Sequence, residues 1–218
     1  MTVVNKAGGL VVIKMGDDGI TLGPPVSIPE DPANRVAWIV QEADCIEPVL
    51  GEDFILGIGR FKDGRGREGI RLIRRASGLP YRFEEGDTDT PINKSVYGPN
   101  DPGSYLEVDV DIIELDSPED ILDALEAFIK AGEDLGTLLK NPTVTLSAHL
   151  ARIVLTLIEV VVDDDGVDIG NISPRIYTPK SRIDAEADQE RHARLKRSAF
   201  FGYDWEYIFT YVLQRVGP

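Results

Sequence analysis

Asp163-Asp164-Asp165-Gly166-Val167-Asp168 is the densest acidic stretch of the sequence, with four carboxylates in six positions. Carboxylates this close repel one another unless water solvates them or a hard cation neutralises them, and oxygen ligands at short spacing suit calcium. The stretch is not an EF-hand, because Val161 and Ile172 fall where that loop needs its first ligand and its bidentate glutamate. A solvated acidic turn between two elements also explains it. Positive charge gathers in Arg60, Lys62, Arg65, Arg67, Arg71, Arg74 and Arg75, seven cations against Asp63 and Glu68, a local net charge of +5. Such a run either meets an anionic surface, at about 1 kcal/mol per basic residue beside an anionic membrane, or pairs with the chain's own acids. Asp109 and Asp111 share one strand face and imitate a catalytic carboxylate pair, although a wet strand face accounts for them too. Nucleophile constellations are poor. His149 lies beside Ser147, His192 lies in a charged segment and Cys45 at a strand end, and no spacing brings a base to a nucleophile. Gly57-x-Gly59 lacks the third glycine and the following helix of a phosphate loop. The chemistry points to binding rather than catalysis.

Composition sets the bounds. The chain has 218 residues, 42% of them hydrophobic, enough to build a core. Its formal charge of −15 opposes non-specific nucleic-acid binding, so no nucleic-acid partner is expected. Asp outnumbers Glu, 22 to 16, and Arg outnumbers Lys, 15 to 8, as on an acidic, solubilising surface. The longest apolar run, near Ile153–Val162, is too short and too punctuated to cross a bilayer, so no transmembrane segment is expected. Met1–Lys6 is not followed by the apolar core of a signal peptide, which implies the cytoplasm or export by a route without a classical signal. The lone Cys45 excludes an internal disulfide and a cysteine zinc site.

The elements that must position these groups are mostly strands. Residues 1–35 read as an N-terminal arm with a hairpin: Leu10–Ile13, a turn at Gly16–Gly19, and a return at Ile20–Leu22. The arm is expected at the edge of a sheet. Val36–Ala43, Phe54–Phe61 and Ile70–Arg74 are β-branched or aromatic, with a hairpin turn at Asp63-Gly64. Arg82–Asp101, rich in Gly, Asp, Pro and Asn, reads as a long loop. Tyr105–Ile112 alternates apolar with acidic, a strand with one wet face. Residues 117–160 switch to helical spacing, beginning with a Ser117 cap and Pro118, and read as an inserted helical hairpin. Ile172–Tyr177 reads as a strand, and Arg182–Arg197 as a charged, helical segment. Tyr203–Val216 reads as a strand whose Trp205, Tyr207, Phe209, Tyr211 and Leu213 form one aromatic face against a core. No linker divides the chain, so residues 1–218 are taken as a single, mainly β domain: an antiparallel β-sandwich with the helical hairpin inserted between strands.

Two short motifs resemble the calcium- and lipid-binding β-sandwich (C2) family. Asp163-x-Asp165 followed by Asp168-Ile169-Gly170 is similar to that family's third top loop. Val40–Ile46, then Glu47 to Gly51-Glu52-Asp53-Phe54, is similar to its opening strand and first loop. Glu47 stands where that loop has its first Asp, and Asp53 where it has its second. The resemblance implies that Glu47, Asp53, Asp163, Asp165 and Asp168 converge on calcium at one end of the sandwich. It also implies an anionic-lipid headgroup site on the arginine run. The chain departs from the family in the shorter spacing from Asp165 to Asp168, in Glu47, and in the large insertion at 117–160. The expected function is a non-enzymatic binding or interaction module that meets a protein partner or an anionic membrane surface. The alternative is a structural subunit of a phage particle or secreted assembly.

Overall fold

In the computed structural model, residues 2–6, 9–16, 18–24, 29–49, 51–115, 117, 130, 167–197 and 204–217 are described. Two antiparallel sheets hold the described part together. The strands are β1 (Thr2–Lys6), β2 (Gly9–Gly16), β3 (Gly19–Gly23), β4 (Val36–Glu47), β5 (Glu52–Asp63) and β6 (Glu68–Ile73). After them come β7 (Tyr81–Glu84), β8 (Thr90–Asn100), β9 (Leu106–Leu115), β10 (Val167–Tyr177), β11 (Glu190–Arg197) and β12 (Trp205–Arg215). A short helix, α1 (Lys180–Glu186), precedes β11. The larger sheet runs β1-β2-β3-β6-β5-β9-β10, with β7 also paired to β5; the smaller runs β11-β12-β4-β8. The fold is mainly β and sandwich-like. Apart from Ser117 and Lys130, the expected helical hairpin at 117–160 falls outside the described residues.

The core between the sheets follows strand alternation. β12 presents Trp205, Tyr207, Phe209, Tyr211 and Leu213, all buried, as its sequence predicts. Trp38 stacks on Tyr211 with ring centroids 5.1 Å apart. β4 buries Trp38 and Val40 but then Ala43 and Cys45, a switch of parity that simple alternation forbids. A register shift between Val40 and Glu42 against β8, and one opposite it between Thr210 and Tyr211 on β12, absorb the extra residue. The larger sheet contributes Ile55, Phe61, Leu106, Val108, Val110 and Ile112. Its other face carries a second buried apolar set, Ile20, Leu22, Leu56, Ile58, Ile70, Leu72 and Ile113, which is not part of the core between the sheets.

Two segments depart from their expected structure. Arg82–Asp101 is not a long loop: β7 and β8 occupy much of it, and Phe83, Ile92, Val96 and Tyr97 enter the core. Pro91 and Pro99 are tolerated because β8 is an edge strand, where a missing N–H breaks no ladder on the open side. Arg182–Arg197 is helical only through Glu186, and Glu190–Arg197 then pairs with β12 along its whole length. Partial burial of Ala193 and Leu195 against the core overrides the helix propensity of its charged neighbours. The N-terminal hairpin forms and joins the larger sheet through β3 and β6, with β1 added outside it.

Candidate functional site

β5 is the strand that organises the polar chemistry. Its inward face carries Asp53 near one end and Asp63 at the other, on the same parity as Ile55 and Phe61, and both carboxylates are fully buried. Each accepts a hydrogen bond from a tyrosine of the opposite sheet. At one end Tyr207 donates to Asp53 Oδ2, which also accepts from the Val49 N–H at 2.7 Å. At the other Tyr97 donates to Asp63 Oδ2 at 2.9 Å. Between them Gly59 lets the layers close, since a Cβ there would lie 2.6 Å from Val96 Cγ1, and Gly57 makes room for Ile73 of the neighbouring β6. Burial, reinforced by the neighbouring carboxylates, pushes both phenols well above the usual tyrosine range. Cys45 lies beside Tyr207, free and buried, and burial pushes its thiol up to about 12, partly offset by its hydrogen bond with Tyr207. At ordinary pH this is an inert thiol, not a nucleophile.

The Asp63 end extends into a network. Asp63 Oδ1 accepts from the backbone N–H groups of Arg65 at 3.0 Å and Arg67 at 2.9 Å, and Oδ2 accepts from Arg67 Nε at 2.6 Å. Arg67 also reaches Tyr97 Oη at 3.0 Å, the Asp101 carbonyl at 2.6 Å, and Glu30. Arg65 pairs with Asp101 and donates to the Pro29 carbonyl at 3.1 Å. Burial pushes the Asp101 carboxyl up, but hydrogen bonds from the Gly103 N–H, Arg65 and the Asp31 N–H outweigh it and hold the group below its ordinary value.

Most of the remaining cations of the run also have partners. Arg60 pairs with Asp109 and lies 3.3 Å from Asp111; Lys62 lies 3.7 Å from Glu68. Arg71 reaches Thr21 Oγ1 at 3.3 Å, and Arg74 pairs with Asp18 at 3.0 Å. Of the seven, Arg71 and Arg75 make no ion pair with a described residue. The run is thus woven into β5, β6 and the loops around them rather than displayed as one cationic face. Asp109 and Asp111 do share a face, but with Arg60 and Asn171, whose amide donates to Asp111 Oδ1 at 2.7 Å. Four atoms there, Arg60 Nε, Asp109 Oδ1, Asp111 Oδ2 and Asn171 Oδ1, are buried without a hydrogen-bond partner among the described residues.

The acidic residues separate into two kinds. Glu47 ends β4 exposed, and Asp168 near the start of β10 is exposed, its Oδ1 accepting from the Gly170 N–H at 2.9 Å. Asp53 points inward and bonds within the core. Asp163 and Asp165 lie outside the described residues. The pairing of Glu47 with Glu206, of Phe54 with Leu115, and of Val167 with Glu114 brings the end of β4 and the starts of β5 and β10 to one end of the sandwich. Among the described residues, no three His, Cys, Asp or Glu side chains cluster closely enough to hold a metal ion. His192 lies on β11, its Nδ1 3.1 Å from Thr210 Oγ1, and His149 lies outside the described residues. Among the described residues no helix is long and apolar enough to cross a membrane. Compared with known proteins, the chain matches no described family, no curated relative and no solved structure.

The inward placement of Asp53 and Asp63 was open to sequence reasoning and missed. Asp53 and Asp63 stand ten positions apart on a strand whose inward residues share their parity, which already placed both acids in the core. Their tyrosine partners carried no such signal, because long-range pairing depends on the sheet topology.

Proposed function

We propose that this chain is a non-enzymatic β-sandwich interaction module that works through exposed sheet edges and rims. One observation carries this: among the groups best suited to chemistry, Asp53, Asp63, Tyr97, Tyr207 and Arg67 are spent on contacts that join the two sheets, and Cys45 is buried beside Tyr207. The engagement of the arginine run by acids favours a protein partner over an anionic membrane surface. Sedimentation velocity at micromolar concentration tests the reading against its alternative. A discrete monomer supports the module, and a large stable oligomer supports the structural subunit of a phage particle or secreted assembly.

The finer form of the proposal is C2-like, with weak calcium binding by Glu47, Asp163, Asp165 and Asp168. Its support is the shared end of the sandwich at which β4 stops and β5 and β10 start. Asp53 is assigned instead to the core, where it already has partners. A thermal melt is expected to rise in millimolar calcium and not in magnesium at equal ionic strength, by mass action on the native state. Equal melts in the two salts would reduce the acidic end to a solvated rim. We also propose that residues 117–160 form the inserted helical hairpin that their apolar period suggests.

A further inference from the structure

Sheet edges are templates for a further strand, and proteins guard them with prolines, bulges, short length or charge. Among the described strands, β8 carries Pro91 and Pro99 and three register shifts against β4. β10 carries Pro174 and two register shifts against β9, and β1 has only five residues. β11, the outer strand of the smaller sheet, has none of these guards. Its eight residues pair with β12 from Glu190 opposite Val212 to Arg197 opposite Trp205 without a register shift, and it contains neither Pro nor Gly.

Among the described residues charge is its only guard, and that charge is net positive. β11 carries Arg191, Arg194, Lys196 and Arg197 against Glu190, a net +3 on a molecule of −15. Arg191, His192, Arg194 and Lys196 are exposed. Arg194 pairs with Glu206, yet its side chain stays 59% exposed and open to a second carboxylate. Ala193 and Leu195 alternate with His192, Arg194 and Lys196 and turn toward the core. Basic segments are repelled at this edge. Acidic segments are repelled by the molecule at large and attracted here, within roughly a 10 Å screening length.

We propose that β11 docks an acidic, extended segment of a partner protein as an added strand. This rests on the interaction-module reading and narrows it to one element. Backbone hydrogen bonds along the open edge supply affinity, and alternate side chains supply selectivity. The strand that fits has carboxylates at every second position, beside His192, Arg194 and Lys196, and apolar residues between them, continuing the layer of Ala193 and Leu195.

The test is a titration of the full-length, 15N-labelled protein with a short acetylated peptide alternating glutamate and valine. Two controls accompany it, a lysine–valine peptide and a glutamate–proline peptide that cannot form a ladder. The expected result is amide shifts centred on β11, slowed hydrogen exchange along it, and binding about tenfold weaker for the lysine peptide. High salt should weaken the glutamate peptide's binding. The R191E/R194E/K196E variant, checked by its melt for an intact fold, should prefer the lysine peptide. Equal shifts with the glutamate–proline peptide, shifts centred elsewhere, or no shifts would each overturn the assignment of β11. The module reading fails separately, by the sedimentation result above.

Discussion

Asp63 cannot be solvated, so its charge is held by what surrounds it: two backbone N–H groups, Arg67 Nε and Tyr97 Oη. Removing the cation from a buried pair strands the remaining charge, a loss of about 3–5 kcal/mol. Arg67→Met, which keeps much of the stem's volume, should lower stability by about that amount in urea unfolding. Asp63→Asn combined with Arg67→Met should recover part of the loss, since no uncompensated charge is left. A loss under ~1 kcal/mol for the single variant would mean that water reaches Asp63. Asp101 adds a pH dependence. Its folded carboxyl titrates below its ordinary value of 3.8, so its contribution is complete above that value. It is lost as pH falls through the lower, folded value. Asp101→Asn should therefore lower stability near neutrality and flatten the acid limb of the stability curve below about pH 4. Equal slopes for variant and parent would show that Asp101 titrates alike in both states.

The elements were legible where one face is apolar and the period is clean. Tyr203–Val216 and Tyr105–Ile112 alternate without interruption, and their inward faces are those the alternation names. β8 was not legible, because its Pro, Gly and Asn residues signal loops locally while its place at a sheet edge permits them. The parity switch of β4 was hidden for a related reason, since a bulge is set by the strands on either side. Gly98 shows how such an edge strand is accommodated. It sits at φ +89°, and a Cβ there would lie 2.2 Å from the Val36 carbonyl oxygen. Both the backbone conformation and the contact exclude a side chain. Gly98→Ala is expected to cost at least ~2 kcal/mol in chemical denaturation. Gly86, also at positive φ but with open space around its Cβ position, should lose less on the same substitution. Equal losses at the two sites would assign the whole effect to backbone conformation and none to the β4–β8 approach.

For the molecule as a whole, acidity and a mainly β architecture were readable from composition and periodicity, but the layering of the larger sheet was not. Ile20, Leu22, Ile58, Ile70 and Leu72 come from five-to-twelve-residue strands that look alike in sequence whichever face they bury. Only the pairings of β3 with β6, and of β6 with β5, gather them on one outer face. β9 and β10 are antiparallel neighbours, a connection that a tight turn can make. The residues between them are therefore not needed to span a distance. Their helical-period stripe at Ile121, Leu122, Leu125, Phe128 and Ile129 supplies apolar surface of the kind the outer face requires. If the stripe covers that face, insertion and sandwich unfold together. Leu125→Asp, or Phe128→Asp, should then lower the midpoint of a single cooperative transition by a core-sized loss, about 2–5 kcal/mol. Near-ultraviolet circular dichroism of the Trp38–Tyr211 stack should report the same midpoint as far-ultraviolet helix signal. A separate, earlier loss of helix signal with the aromatic signal unmoved would sink the idea, because it would make the insertion an independent unit on a face buried by something else.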